Sequence, residues 1–127
     1  LQNVCIGIAL TLLMSCGKEK EKEFFDKQET SETTENPLVI KGKELFEGKG
    51  TCVACHKPDV KVIGPSISEI AKIYKEKNAD IIQFLKGEGE PIVDPSQYEV
   101  MKTNFSITKN MSDEELQAIE AYFYSFN

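Results

Sequence analysis

Apolar positions that recur every three or four residues predict helices between residue 37 and the end of the chain, and no stretch shows the alternation of a β-strand. The first helix is expected after Asn36 and Pro37, since asparagine is a good N-terminal cap and proline fits the first helical turn. Gly48 and Gly50 are expected to end this helix. The pattern predicts an all-α domain that begins at Pro37.

Two further helices are predicted from Ser-x-x-Glu patterns, in which the serine caps the helix and the glutamate returns the hydrogen bond. One begins after Ser66 and carries apolar residues at helical spacing through Tyr74. The other begins after Ser112 and runs to the end of the chain, with Met111 and Leu116 at the two positions of a hydrophobic staple. Both are amphipathic, so each is expected to pack one face against the core.

A short third helix and a long segment without a clear period lie between these two. Asn78 is the predicted cap of the short helix, and Gly87 is expected to end it. Residues 87–111 contain glycine, proline and asparagine in no regular order, so we expect a long loop there. Loops of such length are uncommon in small domains unless they serve the function.

The first residues of the chain are apolar, unlike those that follow. Residues 4–14 form a run too short to span a bilayer comfortably, and the run matches the apolar core of an export signal. The stretch LMSC that ends at Cys16 resembles a bacterial lipobox, which implies cleavage before Cys16 and attachment of diacylglycerol to its thiol. We therefore predict a signal peptide over residues 1–15, with its charged start missing. An uncleaved anchor helix and an ordinary signal peptide are the alternatives.

The segment between the predicted signal peptide and the folded domain differs from both in its high content of charged residues. Residues 16–36 are rich in lysine and glutamate and cannot bury enough apolar area to fold, so they are predicted to form a flexible tether. With lipid on Cys16, this tether would hold the 37–127 domain at the periplasmic side of a bacterial membrane. The whole chain has a net charge of -6, which disfavours nucleic acid as a partner because phosphate binding needs a clustered basic face.

The candidate chemistry is concentrated in the motif CVACH, from Cys52 through Cys55 to His56. C-x-x-C-H is the signature of haem c attachment, in which two thiols bond to the porphyrin and the next residue supplies an imidazole to the iron. A redox-active dithiol is one alternative, but it is expected after a strand. A zinc site is another, but His56 is the only histidine and the predicted domain has no further cysteine. We therefore expect one covalent haem c with iron ligated by His56.

Four features together resemble the class I, cytochrome c-like, monohaem family over residues 38–127. They are Gly42 with an aromatic residue four positions later, the CVACH motif, Gly64 with Pro65, and a last helix whose Tyr122 faces the first helix. The resemblance implies an all-α cytochrome c-like fold of four or so helices wrapped around one haem, with the first and last helices crossing. It also implies that Gly64 and Pro65 are haem-binding residues, the Pro65 carbonyl accepting the N–H of the ligating histidine.

The residues alone leave the second axial ligand of the iron open. Met101, Met111, a lysine, an asparagine and an empty position are the candidates, whereas a second histidine is excluded. The resemblance implies Met101, since the family's methionine comes from a loop shortly before the capped last helix. Met111 already has a packing role at the start of that helix. A thioether ligand raises the reduction potential relative to two histidines.

These features predict a protein that moves single electrons between membrane or periplasmic redox partners and is not an enzyme. The alternative is a haem-based sensor, or a small-ligand-binding or enzymatic haem domain, with a vacated distal position. No second histidine and no evident arginine is present to act as acid or base in peroxidase-like chemistry. A subunit of a larger oxidoreductase is a third interpretation, since such a subunit would carry the same motif.

Overall fold

The structure of the protein is a computed structural model, and it describes residues 35–126. The predicted signal peptide over residues 1–15, the lipidation site Cys16 and all but the last two residues of the 16–36 tether lie outside the described residues. Within residues 35–126, no helix has the length and apolar character needed to cross a membrane.

Residues 35–126 fold into helices and connecting turns, without a β-strand. The all-α prediction is therefore confirmed. Two short 3₁₀ turns, Cys52–Ala54 and Pro95–Gln97, accompany the α-helices. The α-helices are α1 (Pro37–Glu47), α2 (Ile67–Glu76), α3 (Ile81–Leu85), α4 (Tyr98–Lys102), α5 (Phe105–Thr108) and α6 (Asp113–Tyr124).

The three long helices begin at the predicted caps. The Asn36 side chain accepts a hydrogen bond from the backbone N–H of Leu38 at 3.0 Å, and Ser66 accepts from the third residue of α2. Ser112 and Glu115 form the complete reciprocal capping box, each side chain accepting from the other's backbone N–H. These bonds satisfy amide groups that the helices themselves leave unpaired.

The predicted cap of the short third helix was wrong. The side chain of Asp80 accepts from the backbone N–H of Gln83 at 3.0 Å and caps α3, whereas Asn78 has φ 48° in the turn that follows α2. Asparagine tolerates this left-handed conformation better than most residues, so an asparagine can end a helix as well as begin one. The expected end at Gly87 agrees with the structure, where Gly87 has φ 74°.

The long loop predicted over residues 87–111 was also wrong, since this segment contains a 3₁₀ turn, α4 and α5. The helices therefore number six in the described part of the chain, not four or so. Helices of four and five residues are too short to display an apolar period, and packing rather than propensity stabilises them. The packing here includes Phe105, which is buried at the start of α5.

α1 and α6 cross in direct contact, as the resemblance implied. A Cβ atom added to Gly42 would lie 1.9 Å from the carbonyl oxygen of Ala118 and 2.7 Å from the Cβ of Tyr122, so only glycine permits this approach. The rings of Phe46 and Tyr122 pack beside the crossing with centroids 5.3 Å apart. This close contact fixes the end of α1, from which the CVACH segment follows.

Candidate functional site

The CVACH segment forms one tight turn directly after α1. The backbone carbonyl of Cys52 accepts from the N–H of Cys55 at 3.1 Å and from the N–H of His56 at 3.0 Å. Thr51, which precedes the turn, has φ 52°. Both amides donate to the same carbonyl, so the backbone turns tightly here. Both thiols and the imidazole therefore come from one tight turn.

The turn borders a cavity of about 300 Å³ that brings together all the candidate haem-site residues of the domain. Cys52, Cys55 and His56 line it with Met101, and so do the neighbours Gly64 and Pro65. Aliphatic and aromatic side chains from the helices and from the segment before α4 supply much of the remaining wall, among them Ile70, Ile81, Phe84, Leu85, Ile92 and Phe123. Among the lining side chains, Asp94 is the one carboxylate.

His56 is oriented by the residues that the resemblance named. Its Nδ1 lies 2.7 Å from the carbonyl oxygen of Pro65. A carbonyl only accepts, so this contact has the proton on Nδ1 and leaves the lone pair of Nε2 free for a metal. Burial lowers the pKa of His56, and the bond to Pro65 opposes that shift. The imidazole is therefore held neutral, which is the form that ligates iron.

Gly64 permits the position of this imidazole. A Cβ atom at residue 64 would lie 2.4 Å from Cε1 of His56 and 2.8 Å from its Nδ1. The amide of Gly64 also donates to the carbonyl of Cys55 at 2.8 Å, which ties the loop back to the CVACH turn. Glycine is thus required here because the backbone passes against the ring.

The Cys52 thiol does not have the character of a reactive thiol in a catalytic dithiol. Cys52 is buried and Cys55 half-buried, and both are free. Burial is the main cause that raises the pKa of the Cys52 thiol to about 11, with a smaller contribution from Cys55. Reactive dithiols have lowered pKa values. Within residues 35–126, no group of three or more His, Cys, Asp and Glu side chains could hold a metal ion either.

The two methionines of the domain lie in different surroundings. Met101 is part of α4, is half-buried and lines the cavity. Met111 is 7% exposed in the core at the start of α6, and it is not one of the residues that line the cavity. Leu116, the staple partner of Met111, is fully buried. The arrangement thus brings Met101, and not Met111, to the same cavity as His56.

The sequence did not predict the polar contacts that link distant segments around the cavity. Asn104 hydrogen-bonds to Thr51 and to Gly50, and the Lys61 ammonium lies 3.1 Å from the Asp94 carboxylate. These pairs are 33 to 54 residues apart in the chain, and no local pattern predicts such contacts. The position of Asn104, three residues after Met101, was the only available signal.

The residues present fit a haem c. Two free thiols three positions apart can form thioethers, a neutral imidazole offers Nε2, and a thioether sulphur lines the same cavity. The apolar walls suit the faces of a macrocycle. His56 and the two cysteines are thus complementary to the cofactor that the motif predicts.

Comparison with known proteins shows the family of this chain. The family model described as Cytochrome c matches residues 39–126, which is more than half of the chain. A 40-residue stretch is 40% identical to cytochrome c-552 of Nitrosomonas europaea and covers 32% of this chain. The match spans 38% of that relative's length. The chain belongs to the cytochrome c family, whose members bind haem c covalently and are mostly electron carriers.

Proposed function

We propose that this protein is a single-electron carrier in which His56 and Met101 are the axial ligands of the haem iron. Cys52 and Cys55 hold the haem covalently. Donor and acceptor are other redox proteins at or near a bacterial membrane. The observation that carries the proposal is that Met101 and His56 line one apolar cavity beside the two thiols.

Haem c supplies a reversible one-electron couple when it is bound. The protein would contribute two ligands and a largely apolar cavity lining. The bond from His56 to the Pro65 carbonyl at 2.7 Å holds the imidazole in one orientation, and burial favours its neutral form. The thioether of Met101 is neutral and soft, so it favours the ferrous state. If His56 and Met101 both ligate the iron, neither side chain would have to move when the haem gains or loses an electron.

The cavity offers little support for an enzyme or a ligand sensor. Its one carboxylate, Asp94, accepts hydrogen bonds from the Ser96 hydroxyl at 2.5 Å and from the Lys61 ammonium at 3.1 Å. These bonds lower the pKa of Asp94, with the Ser96 bond as the larger cause. An ionised, ion-paired carboxylate is poorly suited to donate a proton to a bound ligand. A carrier is therefore the function that these residues favour.

The proposed location is the periplasmic side of a bacterial membrane, with the protein anchored by lipid on Cys16. The apolar run over residues 4–14 and the LMSC sequence support export and lipidation. Covalent attachment of haem c to the two cysteines also suits an exported protein. The charged tether over residues 16–36 would then let the domain reach partners at the membrane surface.

The ligand assignment is tested by replacing Met101 with alanine in the haem-loaded protein. We expect the variant to keep its covalent haem, to lose the weak far-red absorption band of ferric iron bound to methionine sulphur, to bind CO in the ferrous state, and to have a lower reduction potential. Met111→Leu is the matched control, since it alters the other methionine of the domain but should keep the band. A Met101→Ala protein with an unchanged spectrum and potential would contradict the proposal.

A further inference from the structure

Thr51 has an unfavourable backbone conformation directly before the first haem-attaching cysteine. Its φ of 52° lies in the left-handed region, which β-branched residues avoid because of steric clash with the backbone. Such strain persists only where surrounding contacts hold the residue in place. At Thr51, local backbone hydrogen bonds with Gly48 and Ala54 are joined by one contact from a distant part of the chain.

That contact is the side chain of Asn104. The Thr51 hydroxyl donates to Oδ1 of Asn104 at 3.0 Å, and Nδ2 of Asn104 donates to the carbonyl oxygen of Gly50 at 3.1 Å. One amide group therefore uses its donor and its acceptor on two successive residues of the haem-attachment segment. The bond to Gly50 is partly buried and the bond to Thr51 is exposed, so the first is expected to contribute more.

Asn104 is also linked to Met101 through the backbone. Its own N–H donates to the carbonyl of Met101 at 3.0 Å in the turn that ends α4. The side chain of Asn104 thus connects the backbone of the methionine to the backbone that precedes Cys52. No other side chain makes hydrogen bonds to both Gly50 and Thr51 among the described residues.

We propose that Thr51 and Asn104 are positioning residues that hold the Met101 segment against the haem-attachment turn. The inference rests on the proposed role of Met101 as axial ligand and adds what keeps that ligand in place. The Asn104 amide restrains the end of α4, so the thioether stays within reach of the iron. We call the paired hydrogen bonds of Asn104 the clasp. When the clasp is lost, the Met101 segment can move away from the haem-attachment turn, and an external ligand can take the place of Met101.

A second polar tie, between the loop after His56 and the segment before α4, serves as the comparison. The Lys61 ammonium and the Asp94 carboxylate lie 3.1 Å apart, and the Lys61 side chain is 60% exposed. Exposed ion pairs contribute little, because water screens them and the lysine side chain loses entropy on pairing. Lys61 does not line the cavity. Its replacement therefore tests whether loss of any long-range polar contact loosens the Met101 segment, or only loss of the Asn104 hydrogen bonds.

The experiment measures imidazole binding to the ferric, haem-loaded protein by optical titration. Imidazole must displace the protein ligand, so a looser ligand segment raises its apparent affinity. We expect about a tenfold rise for Asn104→Ala, which loses both bonds, and about a twofold rise for Thr51→Val, which loses the exposed bond and keeps the β-branched shape. Thr51→Ser retains the hydroxyl and should reverse the effect of Thr51→Val. Lys61→Met should match the wild type.

Thermal unfolding of the same proteins separates positioning from general stability. If Asn104→Ala and Thr51→Val unfold at lower temperature while their affinity for imidazole equals that of the wild type, the clasp is merely structural and the inference is overturned. Should Asn104→Ala fail to yield folded protein, the milder pair Thr51→Val and Thr51→Ser decides the question by the same comparison.

Met101→Ala in the same titration distinguishes this inference from the proposed function. If Met101→Ala raises imidazole affinity strongly and the clasp variants do not, the inference fails and the ligand assignment stands. If Met101→Ala leaves imidazole affinity unchanged, Met101 is not the displaced ligand, and both proposals are overturned.

Discussion

His56 is oriented by an acceptor on one side and by a missing side chain on the other. The Pro65 carbonyl lies 2.7 Å from Nδ1, and the backbone of Gly64 passes so close that a Cβ atom would lie 2.4 Å from Cε1. The motif predicted the histidine from spacing alone. The role of the Pro65 carbonyl was predicted only from the family resemblance. Pro65 lies nine positions after His56, and no local sequence pattern predicts the direction of a carbonyl in a turn.

Gly64→Ala tests this close contact at the scale of a single residue. The added methyl group must push the imidazole away from its position, which weakens the Pro65 bond and tilts the ring. We expect a lower yield of haem-loaded protein and a shifted reduction potential in what is recovered, measured by haem absorbance per polypeptide and by redox titration. Pro65→Ala is the control, since it retains the accepting carbonyl. Equal yields and potentials for Gly64→Ala and the wild type would contradict the contact.

At the scale of elements, the crossing of α1 and α6 connects the two ends of the domain. Its geometry requires that no side chain separate the helices at Gly42, which lies against the backbone of Ala118. The sequence predicted the small residue and the large aromatic partner, Tyr122, but helical spacing could not say that a carbonyl would be the closest atom. That detail depends on the crossing geometry of the two helices.

Gly42→Ala is expected to destabilise the domain by about 2 to 3 kcal/mol, because the added methyl forces the two helices apart. Denaturant titration of the haem-loaded protein measures this change in the free energy of unfolding. Lys43→Ala, at the next and exposed position, should change it by about 0.5 kcal/mol or less. A Gly42→Ala protein as stable as Lys43→Ala would mean that the helices do not approach so closely.

The start of α6 carries an ion pair that links it to the end of α1. The Lys49 ammonium lies 2.7 Å from the Glu115 carboxylate, and this bond is the main cause that lowers the pKa of Glu115. A carboxyl group with a lowered folded-state pKa stabilises the protein at neutral pH, and this contribution is lost as the pH falls through the folded-state pKa.

Glu115→Gln keeps the acceptor for Ser112 and removes the charge. We expect this variant to be less stable than the wild type at neutral pH, with the difference shrinking over the acidic range below the ordinary pKa of glutamate. Denaturant titrations at several pH values measure it, and Lys49→Met should show the same trend. A difference in stability that stays constant down to acid pH would assign the effect to something other than the ion pair.

At the scale of the whole molecule, the cofactor supplies part of the core. The domain leaves a cavity of about 300 Å³ between helices α2, α3 and α4 and the CVACH turn. A haem in this cavity would cover apolar side chains that water would otherwise contact, and burial of apolar surface stabilises a fold. The fold and the haem are therefore expected to depend on each other.

Membrane attachment is the prediction that concerns the complete chain. Cys16→Ser is expected to move the protein from the membrane fraction to the soluble periplasmic fraction, because a hydroxyl cannot take the place of the lipidated thiol. Cys5→Ser is the matched control, since Cys5 lies in the predicted signal peptide and is lost on cleavage. Fractionation followed by mass spectrometry of the mature N-terminus gives the answer. A mature wild-type N-terminus without acyl chains on Cys16 would contradict the lipid anchor.

The sequence by itself determined the helical class, the three main caps and the haem-attachment motif, because each depends on residues within a few positions of one another. It did not determine the short helices α4 and α5, which depend on packing more than on their own period. It also did not determine the contacts of Asn104 with Gly50 and Thr51, which lie 54 and 53 residues away. Only the tertiary structure decided which methionine meets the cavity, since that depends on how distant segments close around a shared apolar space.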